Sequence, residues 1–250
     1  MKTIYLYDGS FEGLLTAIYQ SYYLKDKPDK IITEKIFQPN LLDQTYTIET
    51  DLEKSEKVYE SIYRKISHKA LRNVYHVYLS EEEEAATIIY QYLRLGWKIG
   101  ASIESNLLDD RVMAVDKICL KVKKEKHWML GLVRFQQLVG DFYYAVIEPK
   151  YNITGLISPH FLDRMGELNW MIHDKKRELA SVCLDRQWVI TDLDSNFSPQ
   201  LDQSEKIYQS LWKEYFANLS IKERHNPKLQ RKNMPAYYWN NLIEKQKDER

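Results

Sequence analysis

The fold is decided by residues 130–148, which read LGLVRFQQLVGDFYYAVIE. Two β-prone runs, Leu130 to Leu138 and Phe142 to Glu148, flank the dipeptide Gly140-Asp141. Because this dipeptide favours the left-handed backbone of a tight turn, the stretch predicts a β-hairpin. Alternation along the two runs leaves Arg134 and Gln136 on one face. It assigns the opposite, buried face to Val133, Phe135, Val139, Phe142, Tyr144 and Val146.

Three more β-prone runs follow the hairpin, at Trp170 to Asp174, Glu178 to Leu184 and Gln187 to Thr191. They are joined by the polar turns Lys175-Lys176 and Asp185-Arg186, and connections this short cannot return a parallel strand. We therefore predict an α+β fold. Its antiparallel five-stranded meander sheet is packed with an N-terminal helical region and C-terminal helices.

Helices are predicted before, between and after these strands. Ser158 as the N-cap and Pro159 at the first helical position indicate a short helix from His160 to about Met165. An amphipathic helix is expected at Asp202 to Leu219, with Ile207, Leu211, Trp212, Tyr215 and Phe216 on its apolar face, and a last short helix at Ala236 to Glu244.

The N-terminal half has two short strands, Thr3 to Tyr7 and Tyr46 to Glu49, and Ser10 is expected to cap the helix after the first. Ser80 and Glu83 have the spacing of a capping box. Apolar periodicity predicts four helices, at Asp51 to Ile66, Ala70 to Leu79, Ser80 to Leu95 and Leu108 to Lys124.

The predicted organisation is one compact unit over residues 1–250 with three subregions. Residues 1–128 form a mainly helical N-terminal subregion, and residues 129–192 form the sheet subregion. Residues 193–250 hold the C-terminal helices and a basic-aromatic segment. The sequence contains no internal repeat and no low-complexity segment.

Composition excludes a global attraction to polyanions, because 36 Lys and Arg residues balance 36 Asp and Glu residues. Any nucleic-acid contact must therefore come from a local patch. Cys119 and Cys183 both lie in apolar stretches, so we expect two buried thiols in a reducing compartment. No window is long and apolar enough for a membrane span, and the N-terminus lacks a signal-peptide core, so we expect a cytoplasmic protein without a membrane partner.

The sequence lacks GxGxxG, P-loop, HExxH and CxxC motifs and an iron–sulfur cysteine spacing. We therefore predict no cofactor and no metal of its own, and whether the chain is an enzyme stays open. The weak catalytic candidates are His160 with Asp163, on one helix face, and His173 with Asp174, at the end of a strand. The fold could bring the two pairs together as an acid–base site.

Two basic segments are candidates for nucleic-acid binding. The first is the hairpin tip Lys175, Lys176 and Arg177. The second is the C-terminal segment, where five Lys or Arg residues and one Glu lie between Lys222 and Lys232. Three consecutive aromatic residues follow it. Cations can meet phosphates while a ring stacks on an unpaired base, so the candidates here are Arg224, Lys228, Arg231, Lys232, Tyr237, Tyr238 and Trp239. Packing of these rings in the interior is the alternative.

Several segments, in order, resemble a bacterial family of the domain-of-unknown-function 4130 type that is assigned to DNA metabolism and repair. They are Tyr7 to Gly13, Val133 to Phe135, Tyr144 to Pro149, Pro159 to Phe161, Trp170 to Arg177, Asn226 to Gln230 and Met234-Pro235. The resemblance implies an accessory protein linked to a radical-SAM-type partner, and related domains are fused to uracil-DNA-glycosylase-like proteins. It implies DNA as the ultimate substrate and carries no catalytic residues over.

These observations favour a DNA metabolism and repair accessory protein that binds nucleic acid and works with a radical-SAM-type partner. A nucleic-acid-processing enzyme, of the hydrolase or base-excision type and using the His and Asp candidates, is the first alternative. The second is a protein-interaction scaffold without DNA contact, whose helices between Asp51 and Leu95 dock the partner.

Overall fold

The computed structural model describes residues 2–40, 42–219 and 226–246. The chain divides into two compact units, Met1–Lys123 and Lys124–Arg250, which we call the first and the second unit. The three subregions expected from the sequence, with boundaries after residues 128 and 192, stay a prediction. None of the described helices is long and apolar enough to cross a membrane.

The first unit contains a three-stranded parallel sheet in the order β2-β1-β3. Its strands are β1 (Thr3–Tyr7), β2 (Lys30–Thr33) and β3 (Gln44–Thr47). The sequence predicted β1 correctly. It also predicted β3, but placed its start and end two residues too late. It did not indicate β2, because this strand is four residues long and only Ile31 in it is buried. A run this short has too little alternation to stand out from a loop.

The helices of the first unit follow the predicted apolar periodicity. Ser10 caps α1 as expected, since its side chain accepts a hydrogen bond from the Gly13 amide. Short 3₁₀ helices lie at Glu34–Ile36 and Gly100–Glu104. The α-helices are α1 (Phe11–Gln20), α2 (Leu52–Lys65), α3 (His68–Tyr78), α4 (Ala85–Ile99) and α5 (Asp110–Leu132), of which α5 begins in the first unit and ends in the second.

The predicted capping box at Ser80 and Glu83 is wrong. Helix α4 begins only at Ala85, and its N-cap Glu84 makes no capping hydrogen bond through its side chain. The Ser80 hydroxyl instead donates to the Val77 carbonyl at 2.6 Å, which closes the preceding helix. The chain then turns through Glu81, whose φ is +52°. The glutamate run therefore forms the connection between two helices and not the first turn of one.

The second unit contains a five-stranded sheet in the order β4-β5-β6-β7-β8. All five predicted strands exist, as β4 (Phe135–Leu138), β5 (Phe142–Ile147), β6 (Asn169–Asp174), β7 (Leu179–Leu184) and β8 (Gln187–Asp192). The first begins five residues later than predicted, because residues 130–132 still belong to α5. The predicted antiparallel meander is wrong, however, because β5 and β6 pair in parallel while the other neighbours are antiparallel. The α+β class is confirmed.

The parallel pair is made possible by helix α6, which spans Thr154–Met165 and is longer than the sequence indicated. Ser158 is not its N-cap, and Pro159 lies inside the helix. Proline removes the hydrogen bond to the Gly155 carbonyl, but Pro159 is exposed and nothing lies within 4 Å of a Cβ built at Gly155. Twelve helical residues give the crossover the length that a parallel connection needs.

The first hairpin has the predicted turn at Gly140 and Asp141, with φ of +92° and +56°. Leu138 pairs with Phe142, so the loop has three residues and not two. This one-residue shift places Phe135 opposite Ala145. The expected face that Phe135 would share with Tyr144 is therefore wrong.

Different segments of the chain pack against the two faces of the five-stranded sheet. On one face the Phe135 ring lies 5.2 Å from Phe161 of α6 and 6.2 Å from Trp170. On the other face the Tyr144 ring lies 5.8 Å from Phe197, which belongs to the segment after β8. Helix α6 therefore covers only the first of the two faces.

The described C-terminal elements are α7 (Glu205–Leu219), α8 (Pro227–Asn233) and two 3₁₀ helices, Ala236–Asn241 and Ile243–Lys245. Both cysteines are free and buried, as expected. Burial raises the pKa of the Cys119 thiol to about 12.

Candidate nucleic-acid interface

Helix α8 presents three cations to solvent. Its start is fixed by Asn226, whose side chain accepts a hydrogen bond from the Leu229 amide at 3.0 Å, and by Pro227 in the first turn. Lys228, Arg231 and Lys232 are all exposed. Within the described ranges, no carboxylate lies within ion-pair distance of any of the three. No carboxylate of the described residues therefore competes with an anionic ligand for these charges.

The three aromatic residues after α8 do not share one environment. Tyr238 is 2 % exposed, and its hydroxyl donates to the Glu125 carboxylate. Burial, together with this hydrogen bond, raises the pKa of Tyr238. Tyr237 is 50 % exposed and its ring centroid lies 4.1 Å from that of Tyr238. Tyr238 is thus an interior residue and cannot stack on a base, whereas Tyr237 keeps an open ring face.

Trp239 connects α8 to α7. Its indole N–H donates to the Met234 carbonyl at 3.0 Å, just past the end of α8. The Lys245 ammonium lies 4.9 Å from the centre of the Trp239 ring and 5.3 Å from that of Phe216 in α7. These contacts link the end of the cationic helix to α7 indirectly, through Trp239 and Lys245.

Helix α7 borders a groove of about 850 Å³ in the second unit. This volume lies within the range of about 300–1,000 Å³ of small-molecule sites. Its rings are largely uncovered, since Tyr208 is 61 %, Tyr215 56 % and Trp212 36 % exposed. The walls include Arg134, Phe135, Tyr143, Tyr208, Trp212 and Tyr215. We call this the α7 groove.

Two carboxylates fix the shape of the α7 groove. Glu205, at the start of α7, is 5 % exposed and accepts a hydrogen bond from the Gln137 amide of β4 at 2.9 Å. Glu244 accepts from the Arg134 guanidinium at 2.6 Å and from the Trp212 indole at 2.9 Å. Burial alone would raise the pKa of Glu244, but these hydrogen bonds outweigh it and lower the pKa. The groove is therefore formed before any ligand arrives.

The hairpin-tip cations differ in availability. Arg177 is 7 % exposed at its side chain and pairs with Asp174 at 2.8 Å. Its guanidinium also donates to the carbonyls of Pro149 and Lys150. Arg177 therefore holds a loop in place and is not presented to a polyanion. Lys175 is half-buried, and Lys176 is exposed with its ammonium 3.2 Å from the Lys150 carbonyl.

The two histidine candidates are not brought together. His173 lies on the face of the sheet where its Nδ1 is 2.7 Å from the Tyr144 hydroxyl. Helix α6, with half-exposed His160 and exposed Asp163, packs on the other face, where Ser158 contacts the Ser181 hydroxyl at 2.7 Å. His160 and His173 are thus separated by the sheet, and no acid–base pair forms between them.

Burial perturbs the two candidates on β6 in a way that favours their neutral forms. It lowers the pKa of His173, helped by nearby Lys175, and raises the pKa of Asp174 despite the Arg177 ion pair. Neither side chain is exposed to solvent. Among the residues that the structure describes, no three His, Cys, Asp or Glu side chains converge as a metal site would require. Arg224 lies outside the described residues.

The fold and the α7 groove define an α+β protein with a preformed aromatic groove and an exposed cationic helix in the same unit. The sequence profile of a family described as a domain of unknown function, DUF4130, matches residues 83–244. This match covers more than half of the 250 residues, so the chain belongs to that family. A comparison with curated proteins found no match.

The α7 groove is the part of the site that sequence reasoning missed. Its members come from separate parts of the chain, such as Arg134 and Glu244, and no spacing links them. One signal was present, because the apolar face predicted for α7 needs a cover. Ile207, Leu211 and Tyr215 of that face are more than half exposed.

Proposed function

We propose that this chain is an accessory protein of DNA metabolism and repair that binds single-stranded or extruded bases in the α7 groove. The cations of α8 contact the adjacent phosphates, and a radical-SAM-type partner carries out the chemistry. The observation that carries the proposal is the combination of open aromatic rings with exposed cations in one unit of a chain whose net charge is zero.

The aromatic rings suit an unpaired base. Stacking of a base on an aromatic side chain is worth roughly 1–3 kcal/mol and depends little on base identity. Tyr208 and Tyr215 are the most exposed rings of the groove, and Tyr237 adds another open ring in the same unit. A duplex keeps its bases stacked inside, so the groove favours single strands or flipped bases.

The cations suit the phosphates. Lys228, Arg231 and Lys232 have no competing carboxylate in the described chain, so binding need not break an ion pair. The contacts of Trp239 with Met234, and of Lys245 with Trp239 and Phe216, link the end of α8 to α7 through two intervening residues. A strand whose bases enter the groove would therefore have its backbone near α8.

The partner and the biological context rest on the family resemblance. A chain without cluster cysteines fits a role beside a radical-SAM-type protein that supplies the cluster. Co-purification of the two proteins tests this part. Recovery of the complex after loss of residues 221–250, together with its loss when the helices between Asp51 and Leu95 are replaced, would favour the scaffold alternative.

The binding proposal is tested with a fluorescein-labelled 20-nucleotide single strand and the matching duplex. The double variant Tyr208→Ala/Tyr215→Ala should weaken single-strand binding by about tenfold or more, because at least one stacking contact is lost. Tyr59→Ala/Tyr63→Ala, at exposed tyrosines of the first unit, is the matched control and should bind like the parent. Equal affinity of both double variants, or no binding by the parent protein, would contradict the proposal.

The enzyme alternative has no geometric support as a pair of His160 and His173, because the sheet separates these two side chains. It keeps a direct test. Product formation by the isolated chain on uracil-containing or otherwise damaged oligonucleotides, abolished by His173→Ala, would establish it.

A further inference from the structure

A second aromatic cavity lies in the first unit and shares no lining residue with the α7 groove. Its volume is about 480 Å³, within the range of sites that hold small organic ligands. One wall is helix α2, where Lys57, Ser61 and Lys65 recur every four residues and so form one stripe. The other walls come from α1 and its C-terminal extension and from Trp97 of α4.

The rings of this cavity have fixed orientations. The Trp97 indole N–H donates to the Ser61 hydroxyl at 3.0 Å. Tyr22 meets Trp97 edge to face, with ring centroids 5.6 Å apart at 87°. Tyr19 and Tyr23 stack with centroids 4.6 Å apart at 21°. Even so, Tyr22 is 51 % and Tyr23 70 % exposed, so broad ring faces remain open to a ligand.

The charged side chains that line the cavity are both lysines. Lys57 and Lys65 are exposed lining residues, and within the described ranges neither has a carboxylate within ion-pair distance. The Lys27 ammonium lies 5.6 Å from the centre of the Tyr22 ring, which adds a third cation at the rim. No carboxylate is among the described residues that line the cavity. The stripe of two lysines spans about 12 Å along the helix, at 1.5 Å per residue, with Ser61 midway.

We propose that this cavity binds a nucleobase that carries a phosphate. The flat base lies against the exposed faces of Tyr22 and Tyr23, and the phosphate lies over α2 between the two lysine ammonium groups. A neutral aromatic ligand would leave the lysines unused, and a phosphate alone would leave the rings unused. The ligand with both parts is a nucleotide, either free or as one residue of a single strand.

This site is independent of the proposed function, because it lies in the other unit and shares no residue with the α7 groove or α8. The test uses isothermal titration of the full chain with adenosine monophosphate, with adenosine and with a 12-residue oligo(dA) strand. The variant is Lys57→Gln/Lys65→Gln. Both lysines are exposed, so their replacement leaves the core untouched. Lys35→Gln/Lys117→Gln, also exposed and in the same unit, removes the same charge elsewhere.

We expect the monophosphate to bind more tightly than adenosine, and the Lys57→Gln/Lys65→Gln variant to lose at least about tenfold in affinity for it, while the control variant binds like the parent. If only the strand binds, and the same variant weakens it while Tyr208→Ala/Tyr215→Ala does not, the source of the nucleotide is a strand. Equal binding by the pocket and control variants overturns the inference. Strand binding that is weakened only by Tyr208→Ala/Tyr215→Ala, and not by Lys57→Gln/Lys65→Gln, also overturns the inference. That result leaves the proposed function standing.

Discussion

Replacement of Glu125 by alanine should destabilise the second unit strongly. This carboxylate is 2 % exposed, and no Lys or Arg among the described residues forms an ion pair with it. It accepts hydrogen bonds from the amides of Lys150 and Tyr151, both at 2.8 Å, and from the hydroxyl of Tyr238. Its role is therefore to satisfy donors that the fold has buried.

The size of the effect follows from the donors that lose their acceptor. The Tyr151 amide and the Tyr238 hydroxyl are buried, and an unsatisfied buried donor costs roughly 2 kcal/mol. The Lys150 amide is only partly buried, so water can replace the carboxylate there. The sum for Glu125→Ala is about 4 kcal/mol. Tyr238→Phe removes one donor and leaves both amides satisfied, so it should cost about 1–2 kcal/mol.

The assay is urea unfolding of the full chain together with hydrogen exchange of the Tyr151 amide by mass spectrometry. Exchange at Tyr151 reports the second unit directly, whether or not the two units unfold together. Glu214→Ala, at an exposed position of α7, is the matched control and should stay within about 0.5 kcal/mol of the parent. A cost below about 1 kcal/mol for Glu125→Ala, with unchanged Tyr151 exchange, would refute the reasoning.

Three further predictions concern other buried positions. The pKa of His173 is lowered below its ordinary value of 6.5, so the unfolded chain binds the proton more readily than the folded chain does. The free energy of unfolding should therefore fall as the pH drops through about 6.5. In a series of urea midpoints measured against pH, His173→Phe should flatten that part of the curve. Gly13→Ala should lower the free energy of unfolding by about 1–3 kcal/mol, since the added Cβ would lie 2.2 Å from an Asp8 carboxylate oxygen. Gly131→Ala, in α5 with open space around it, should instead raise the free energy of unfolding by up to about 1 kcal/mol. Similar effects of the two substitutions in urea unfolding would contradict this account. Cys119 is buried and its thiol has a pKa of about 12, so it should resist iodoacetamide at pH 8 in the native protein and react after unfolding. Mass spectrometry of the peptide that contains Cys119 detects the label. Rapid labelling of the native protein would contradict the burial of this thiol.

The sequence indicated most elements of the second unit because their signals are local. The Gly140-Asp141 turn and the alternating apolar runs identified all five strands. The direction in which β5 and β6 pair has no such local signal, because it depends on the length of the connection between the two strands. Ser158-Pro159 resembled a helix start, and this hid the turn of α6 that begins at Thr154. The antiparallel inference rests on the two short turns after β6 and does not apply to the much longer β5–β6 connection.

The candidate site was partly predictable for the same reason. The cations of α8 follow from composition, whereas helix α8 itself was not predicted, because the sequence was expected to become helical only at Ala236. The environment of each ring does not follow from composition, because Tyr238 is buried by a carboxylate more than a hundred residues earlier in the chain. Arg134 was likewise assigned to a sheet face, whereas its contact with Glu244 depends on where the C-terminal segment packs.

The proposed nucleic-acid contact is tested most directly by the salt dependence of single-strand binding. Anisotropy titrations of a labelled 20-nucleotide strand at several salt concentrations would compare the parent with Lys228→Gln/Arg231→Gln/Lys232→Gln and with the control Lys35→Gln/Lys117→Gln/Lys123→Gln. Each phosphate contact contributes about 0.7 to the slope of log affinity against log salt for single strands, so the α8 variant should have a slope smaller by roughly 2. A slope that is unchanged in the α8 variant, or reduced equally in the control, would contradict the assignment of these cations to phosphate contacts.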